Sequence, residues 1–434
     1  EDGATSYMVP VGRGVQQEYQ DMQRSFTCCV GSGMESHALH GDGLYYESAD
    51  TIWVSVFAPS TAQTSLAKLT METGFPDGDN AKLTLSLAAP KAFTLAVRRP
   101  FWAGDGFRLK VNGELIEQPT LNTLMGGAAA GRNNAPGNEG QNAAESVFVN
   151  VKRTWKTGDV VELALPKSLR LEPTPDNKSV AAVMWGPLVL AGNLGPRRQP
   201  RRGEDTPDAQ LVAPVLVGAD KPLSEWITPE TVPGNFAVKD LAKNPAKPQT
   251  PGDVALQPFY RVHRRTYSVY FDVLTPSEFS AKAAAIAAER ERIATLERNT
   301  VSVVQPGEMQ PERDFNYQSN PETRQAARTA GRANRGGTGW FSFDMPVDAT
   351  KPLSLVVTFY NELGLAPTAG NFDVLIDNTS IAKFAPNATA TGFWDATYAI
   401  PANLVAGKQK VTVKFQANGN GRIAPVFGVR VVRN

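Results

Sequence analysis

The run Lys82-Leu83-Thr84-Leu85-Ser86-Leu87 alternates strictly between polar and apolar side chains. Successive side chains of a β-strand point to opposite faces, so this run places its leucines on one face of a sheet. A helix would scatter the same leucines around its axis. Comparable runs flank it. Thr51-Ile52-Trp53-Val54-Ser55-Val56-Phe57 is β-branched and aromatic and is closed by Pro59. Ala92 to Arg98 and Phe107 to Val111 follow, the latter ending at Asn112-Gly113, a hairpin turn signal. Val147-Phe148-Val149-Asn150-Val151 precedes Trp155, and Lys156-Thr157-Gly158-Asp159 reads as a turn. Val160 to Leu165 and Ser179 to Leu190 complete the set. Short strands at this spacing predict a β-sandwich. The high Gly (37) and Pro (32) content agrees with a turn-rich, mostly β chain.

A second set of strands occupies residues 301–434. Trp340-Phe341-Ser342-Phe343-Asp344, Leu353 to Tyr360, Phe372 to Asp377, Val411 to Phe415 and Val426 to Val432 all read as strands of a jelly-roll-like sandwich. Between the two sets, residues 213–274 hold scattered strands. Pro276 to Asn299 is the clearest helix, rich in Ala, Glu and Arg, with Ser277 as its expected cap. Residues 123–146 are rich in Gly, Ala and Asn and read as a loop. Gly331 to Gly339 also reads as a loop. Arg197-Arg198-Gln199-Pro200-Arg201-Arg202 reads as a solvated linker, since acidic residues follow at once and no aromatics interleave.

The net charge of +1 gives no electrostatic reason to expect nucleic acid or an anionic membrane as partner. No apolar run is long enough for a membrane-spanning helix. Glu1-Asp2-Gly3-Ala4 lacks the basic and apolar regions of a signal peptide and a starting Met, so the chain is expected to begin either after processing or in the middle of a longer gene product. No phosphate loop, dinucleotide fingerprint or Gly-x-Ser-x-Gly is present.

Chemistry concentrates at Cys28 and Cys29, the two cysteines of the sequence. A bond between neighbours fits disulfide geometry poorly. Two readings follow from the residues alone. In one, these are small apolar side chains in a packed turn. In the other, a thiolate is a nucleophile beside a zinc ion. Zinc takes about four ligands, and adjacent thiolates supply two of them. Glu35, His37 and His40 are close in sequence, but helical spacing places Glu35 and His37 on different faces. Residues 31–40 are expected to be a short helix with Ser32 as N-cap and Glu35 completing a capping box. Trp340 and Trp394 are read either as sugar-stacking platforms or as core anchors.

Ser25-Phe26-Thr27-Cys28-Cys29-Val30-Gly31-Ser32-Gly33-Met34-Glu35-Ser36-His37 closely resembles a motif of glycoside hydrolase family 127. So do Gly41-Asp42-Gly43-Leu44-Tyr45-Tyr46, Ile52 to Ser60, Val97 to Ala103, Met184 to Gly192, Gly339 to Asp344 and Phe372 to Asp377. The resemblance covers essentially the whole chain and is most specific at the double cysteine. These relatives are bacterial β-L-arabinofuranosidases. The resemblance implies a mainly β chain: two or more β-sandwich or jelly-roll domains preceded by a remnant of an (α/α)6 barrel. Residues 1–50 would end the barrel, 51–195 form a β-sandwich, 196–300 a linker with added strands and a helix, and 301–434 a C-terminal sandwich.

The resemblance also implies site roles. Cys28 matches the nucleophile, attacking the anomeric carbon to give a thioglycosyl intermediate with retention. Cys28 and Cys29 match zinc ligands, with a Glu, a third Cys and the acid/base Glu expected upstream of residue 1. Zinc as cofactor, an L-arabinofuranoside-type carbohydrate as partner and export by a Gram-negative bacterium follow as expectations. So does inactivity of the isolated chain. The alternative is a non-catalytic β-sandwich protein that binds carbohydrate or serves a structural role.

Overall fold

The computed structural model describes residues 6–20, 27–117, 147–197, 213–250, 252–320, 327–362 and 369–434. The expected loop at 123–146 and residues 198–202 of the basic linker lie outside them. The chain is mainly β and divides into two compact units, Glu1–Ile286 and Ala287–Asn434.

The strict alternation at 82–87 lies in the strand Asn80–Ser86, where Ala81, Leu83 and Leu85 are buried and Lys82 is exposed. This strand is central in a six-stranded antiparallel sheet. The order is Ser60–Gln63, Lys68–Thr73, Asn80–Ser86, Val160–Ala164, Arg108–Val111, Glu114–Leu115. A four-stranded sheet runs Val147–Trp155, Lys91–Arg99, Thr51–Val54, Tyr45–Glu47, with Thr51–Val54 parallel to Lys91–Arg99. Leu69, Leu83, Leu109 and Leu163 of the first sheet share one core with Ile52, Phe93, Leu95, Val151 and Trp155 of the second. Each such side chain contributes about 2 kcal/mol by leaving water. Trp155 keeps its polar edge satisfied by donating from Nε1 to the Phe93 carbonyl at 3.1 Å.

Turn chemistry fixes the register. Asn112 and Gly113 have φ of 50° and 86°, the left-handed pair that a two-residue hairpin needs. Asn112 Nδ2 donates to Asp159 Oδ1 at 2.9 Å, and Asn112 Oδ1 accepts from the Val160 N–H at 2.9 Å. One turn thereby holds the other.

The run 179–190 is two strands, Val180–Trp185 and Leu188–Pro196, folded back at Gly186 (φ 56°). They enter an eleven-stranded sheet with strands between Val215 and Leu274. Leu188–Pro196 pairs with both Val254–Pro258 and Arg265–Ser268, so this sheet crosses the division expected at residue 195. Val183, Leu190, Trp226, Leu256 and Phe271 form its core.

Residues before 50 also contribute strands to these sheets. Val15–Gln16 pairs with Arg265–Ser268, and Tyr45–Glu47 edges the four-stranded sheet. The Tyr267 hydroxyl donates to the Pro10 carbonyl at 2.6 Å, and Tyr19 accepts from the Arg264 N–H at 3.0 Å. These contacts anchor the segment that leads to the cysteines.

The helix Pro276–Asn299 forms over the predicted residues. Its cap differs from the expected Ser277. Thr275 Oγ1 accepts from the Glu278 N–H at 3.3 Å, and Glu278 accepts from the Thr275 N–H at 2.8 Å. That is a reciprocal capping box with Pro276 at the first helical position, where its missing N–H costs nothing.

The second unit holds three antiparallel sheets. One runs Thr300–Val304, Gly428–Arg433, Leu353–Asn361, Gly392–Ile400. Another runs Gln318–Ser319, Trp340–Pro346, Lys410–Ala417, Phe372–Ile376, Thr379–Lys383. Their shared core is aromatic: Phe341 stacks on Phe415 at 5.0 Å and Phe372 on Phe384 at 4.7 Å. The third sheet contains Arg332–Gly337, within the stretch expected as a loop, paired with Ala327–Thr329 and Ile423–Val426.

Candidate active site around two adjacent thiols

A turn at Thr27 to Cys29 leads into the helix Val30–Ser36, then a single 3₁₀ turn, His37–Leu39. The Val30 N–H bonds the Thr27 carbonyl at 3.0 Å, and the Gly33 N–H bonds the Cys29 carbonyl at 2.9 Å. Cys29 is therefore the N-cap, with φ −101° and ψ 9°, and makes no side-chain cap bond. The expected cap at Ser32 and capping box with Glu35 do not form, because the helix is capped three residues earlier, at Cys29, and Ser32 lies inside its first turn. None of the helix residues is buried. His37 and His40 meet edge to face with ring centroids 4.8 Å apart.

Both cysteines are exposed free thiols. Their sulfurs are 3.3 Å apart. On one tetrahedral zinc two thiolates would stand about 3.8 Å apart, given Zn–S bonds of about 2.3 Å. A small side-chain rotation thus lets Cys28 and Cys29 share one ion. They supply two donors, and among the described residues no group of three or more His, Cys, Asp or Glu is placed to hold a metal. Among the described residues these two thiols would fill at most two of the four positions a zinc ion takes.

Tyr7 completes the local geometry. Its hydroxyl lies 3.8 Å from Cys28 Sγ. Hydrogen bonding from Tyr7, and then from Cys28, draws the Cys29 thiol below its usual range, against a small opposing desolvation. The same contacts raise the Tyr7 phenol, with the bond to Cys29 the largest cause. The lowered thiol is Cys29, the residue for which the resemblance implies a ligand role. A thiol held toward its thiolate form is the reactive form for both metal binding and nucleophilic attack. No sequence signal marked Tyr7, which lies 21 residues before Cys28 in an irregular stretch.

The aromatic candidates resolve differently. Trp394 packs on Phe359 at 5.1 Å and donates from Nε1 to Asn361 Oδ1 at 3.2 Å, so it anchors the core. Trp340 is half-buried in its strand, with Lys414 Nζ 4.7 Å over its ring.

Residues 51–167 match the family model described as the β-L-arabinofuranosidase, GH127 middle domain. Residues 170–273 match a domain of unknown function, and residues 295–432 a family of unknown function. No curated protein matches the sequence. Among solved structures, a GH127 β-L-arabinofuranosidase from Geobacillus stearothermophilus T6 is similar at 19% identity and TM-score 0.39, over 57% of this chain and 37% of that chain. A protein described as a glycoside hydrolase is similar at 21% identity and TM-score 0.40, over 62% of this chain and 43% of that one. A GH127 β-arabinofuranosidase is similar at 18% identity and TM-score 0.36, over 53% and 36%. The chain therefore spans well under half the length of these relatives. Structural likeness at this level carries no weight alone, so the assignment rests on the middle-domain match. Residues 51–167 thus resemble the GH127 middle domain, and the likeness of the chain to that family is carried by this segment.

Proposed function

We propose that the chain is a portion of a retaining glycoside hydrolase acting on terminal L-arabinofuranosides or related plant and algal sugars. The observation that carries this reading is the GH127 middle-domain match at 51–167, which begins 22 residues after a pair of exposed thiols 3.3 Å apart. Cys28 attacks the anomeric carbon, forming a carbon–sulfur bond as the leaving oxygen takes a proton from an acid. Water, giving its proton to the same residue now acting as base, then attacks from the face the leaving group vacated and expels the thiolate, so two inversions retain the anomer. Cys29 acts beside it as a ligand.

Zinc bound by both thiols would keep Cys28 ionised at neutral pH and make it a better leaving group in the second step. Two further ligands and the acid/base carboxylate are expected from residues outside these 434. By itself the chain is expected to be inactive. The family's setting favours export in a Gram-negative bacterium.

The exposure of both thiols favours a second reading, a β protein that binds carbohydrate without cleaving it. Hydrolysis of an aryl β-L-arabinofuranoside, with and without zinc, separates the two. The chain alone should give no turnover, and joining it to a segment that supplies the remaining ligands should give activity lost in Cys28→Ser. Turnover by the joined protein that survives Cys28→Ser would overturn the nucleophile assignment. No turnover after joining, despite bound zinc, would favour the binding reading.

A further inference from the structure

A cavity of about 420 Å³ opens on the four-stranded sheet of the second unit. Its floor includes Thr358 and Gly428, which face each other across neighbouring strands, and Thr358 also faces Asp395. Gly428 keeps this floor open. A Cβ there would come within 3.1 Å of Thr358 Oγ1 and 4.0 Å of Arg332 Nη2.

The charged groups lining the cavity are engaged unequally. Arg292 is occupied: it grips the Glu289 carboxylate at 2.8 and 2.9 Å and lies 3.6 Å from Asp395. Asp395 also accepts from Thr358 Oγ1 at 2.7 Å. Arg332 and Arg430 make no ion pair among the described residues. Arg430 Nη1 donates to Thr300 Oγ1 at 2.6 Å. Arg332 lies 4.5 Å over the Phe393 ring, and its Nη2 reaches the Phe427 carbonyl at 3.5 Å. A guanidinium has five N–H donors, so each retains several for a ligand. Beside them, Phe393 and Ile293 are 37% and 42% exposed, an apolar wall next to the cations.

We propose that this cavity binds a sugar acid. Its carboxylate meets Arg332 and Arg430, and the C–H face of its ring lies against Phe393 and Ile293. A planar carboxylate matches the guanidinium fork, which a neutral sugar would leave without a charged partner. A wholly apolar ligand would desolvate both cations without compensation. The volume is at the lower end for small-molecule sites, enough for one or two sugar rings. All the residues lie in 287–434, so this inference stands apart from the chemistry at Cys28.

The test is titration of the full chain with D-galacturonate, L-arabinose and acetate, followed by calorimetry and NMR. Galacturonate should bind saturably, at least tenfold tighter than either control, and more weakly as salt is added. Arg430→Gln and Arg332→Gln should each weaken it about tenfold, the loss of one charge-assisted contact, and Gly428→Val should weaken it about tenfold by filling the cavity floor. Absence of saturable galacturonate binding would overturn the proposal. So would equal affinity for arabinose, or for acetate, which would mean a plain sugar or plain anion site. If one variant fails to fold by circular dichroism, the ligand ranking of the native chain and the remaining variants decide.

Discussion

Arg335 and Glu312 form a two-point ion pair within the second unit, Nε to Oε1 and Nη2 to Oε2, each at 2.7 Å. Their side chains are only 16% and 8% exposed. Glu312 also accepts the Gly307 N–H at 2.6 Å, and Arg335 lies 4.6 Å over the Tyr317 ring. The bond to Glu312 is the main cause that raises the guanidinium's already high pKa.

Removing one partner strands the other charge where water is scarce. Glu312→Ala should therefore lower the unfolding free energy by about 3 kcal/mol. Arg335→Ala should cost a similar amount, and the double variant clearly less than the sum. Urea denaturation of the four proteins measures this. Strictly additive losses would show that the two side chains act independently.

Asp159 ties two turns of the first unit together. Its carboxylate is buried and accepts from Asn112 Nδ2 at 2.9 Å and from the Lys156 N–H at 2.9 Å. Burial pushes its pKa up, but these bonds and nearby cations outweigh it and the net shift is downward. Asp159→Ala leaves two donors unmet and should cost about 2 kcal/mol, read from the urea midpoint. Asp159→Asn should cost less, since it keeps the carbonyl acceptor.

Acid should weaken the second unit through Asp348. Bonds from the Thr350 hydroxyl and then Arg433 pull this carboxyl down to about 2. A depressed carboxyl stabilises the folded state above its unfolded pKa, near 3.9, and loses that contribution as pH falls toward its folded value. Melting temperatures followed from pH 5 to pH 2 should fall more steeply for the native chain than for Asp348→Asn. Parallel curves would show that Asp348 takes no part.

Both thiols should be open to reagent. Native protein treated with an aromatic disulfide should titrate two thiols without denaturant, since both are exposed. Added zinc should slow the reaction, and a chelator should restore it. A titre of zero that returns after reduction would mean the adjacent sulfurs have bonded to each other.

Legibility followed the range of the forces involved. The strand at Asn80–Ser86 could be read because its alternation records a local fact, one wet face and one dry. The turn at Asn112-Gly113 could be read because its backbone demands those residue types. The helix Pro276–Asn299 was visible from composition, yet its cap lay at Thr275, two residues from the expected Ser277. The strand Arg332–Gly337 was hidden because its glycines look like a loop, and pairing with Ile423–Val426 lies about 90 residues away. At the candidate site the adjacent cysteines were plain. The approach of Tyr7 was not, since it depends on how the N-terminal stretch is anchored at Tyr267 and Tyr19.

The helix that follows Cys29 buries none of its seven residues. A helix so short does not persist in water on its own, and no described core beneath it locks the sulfur in place. A nucleophile must be held to within about half an ångström of its productive position. Under the function proposed above, a surface laid over Val30–Ser36 would set when Cys28 can react as well as where, since only a dry contact there would hold its sulfur still.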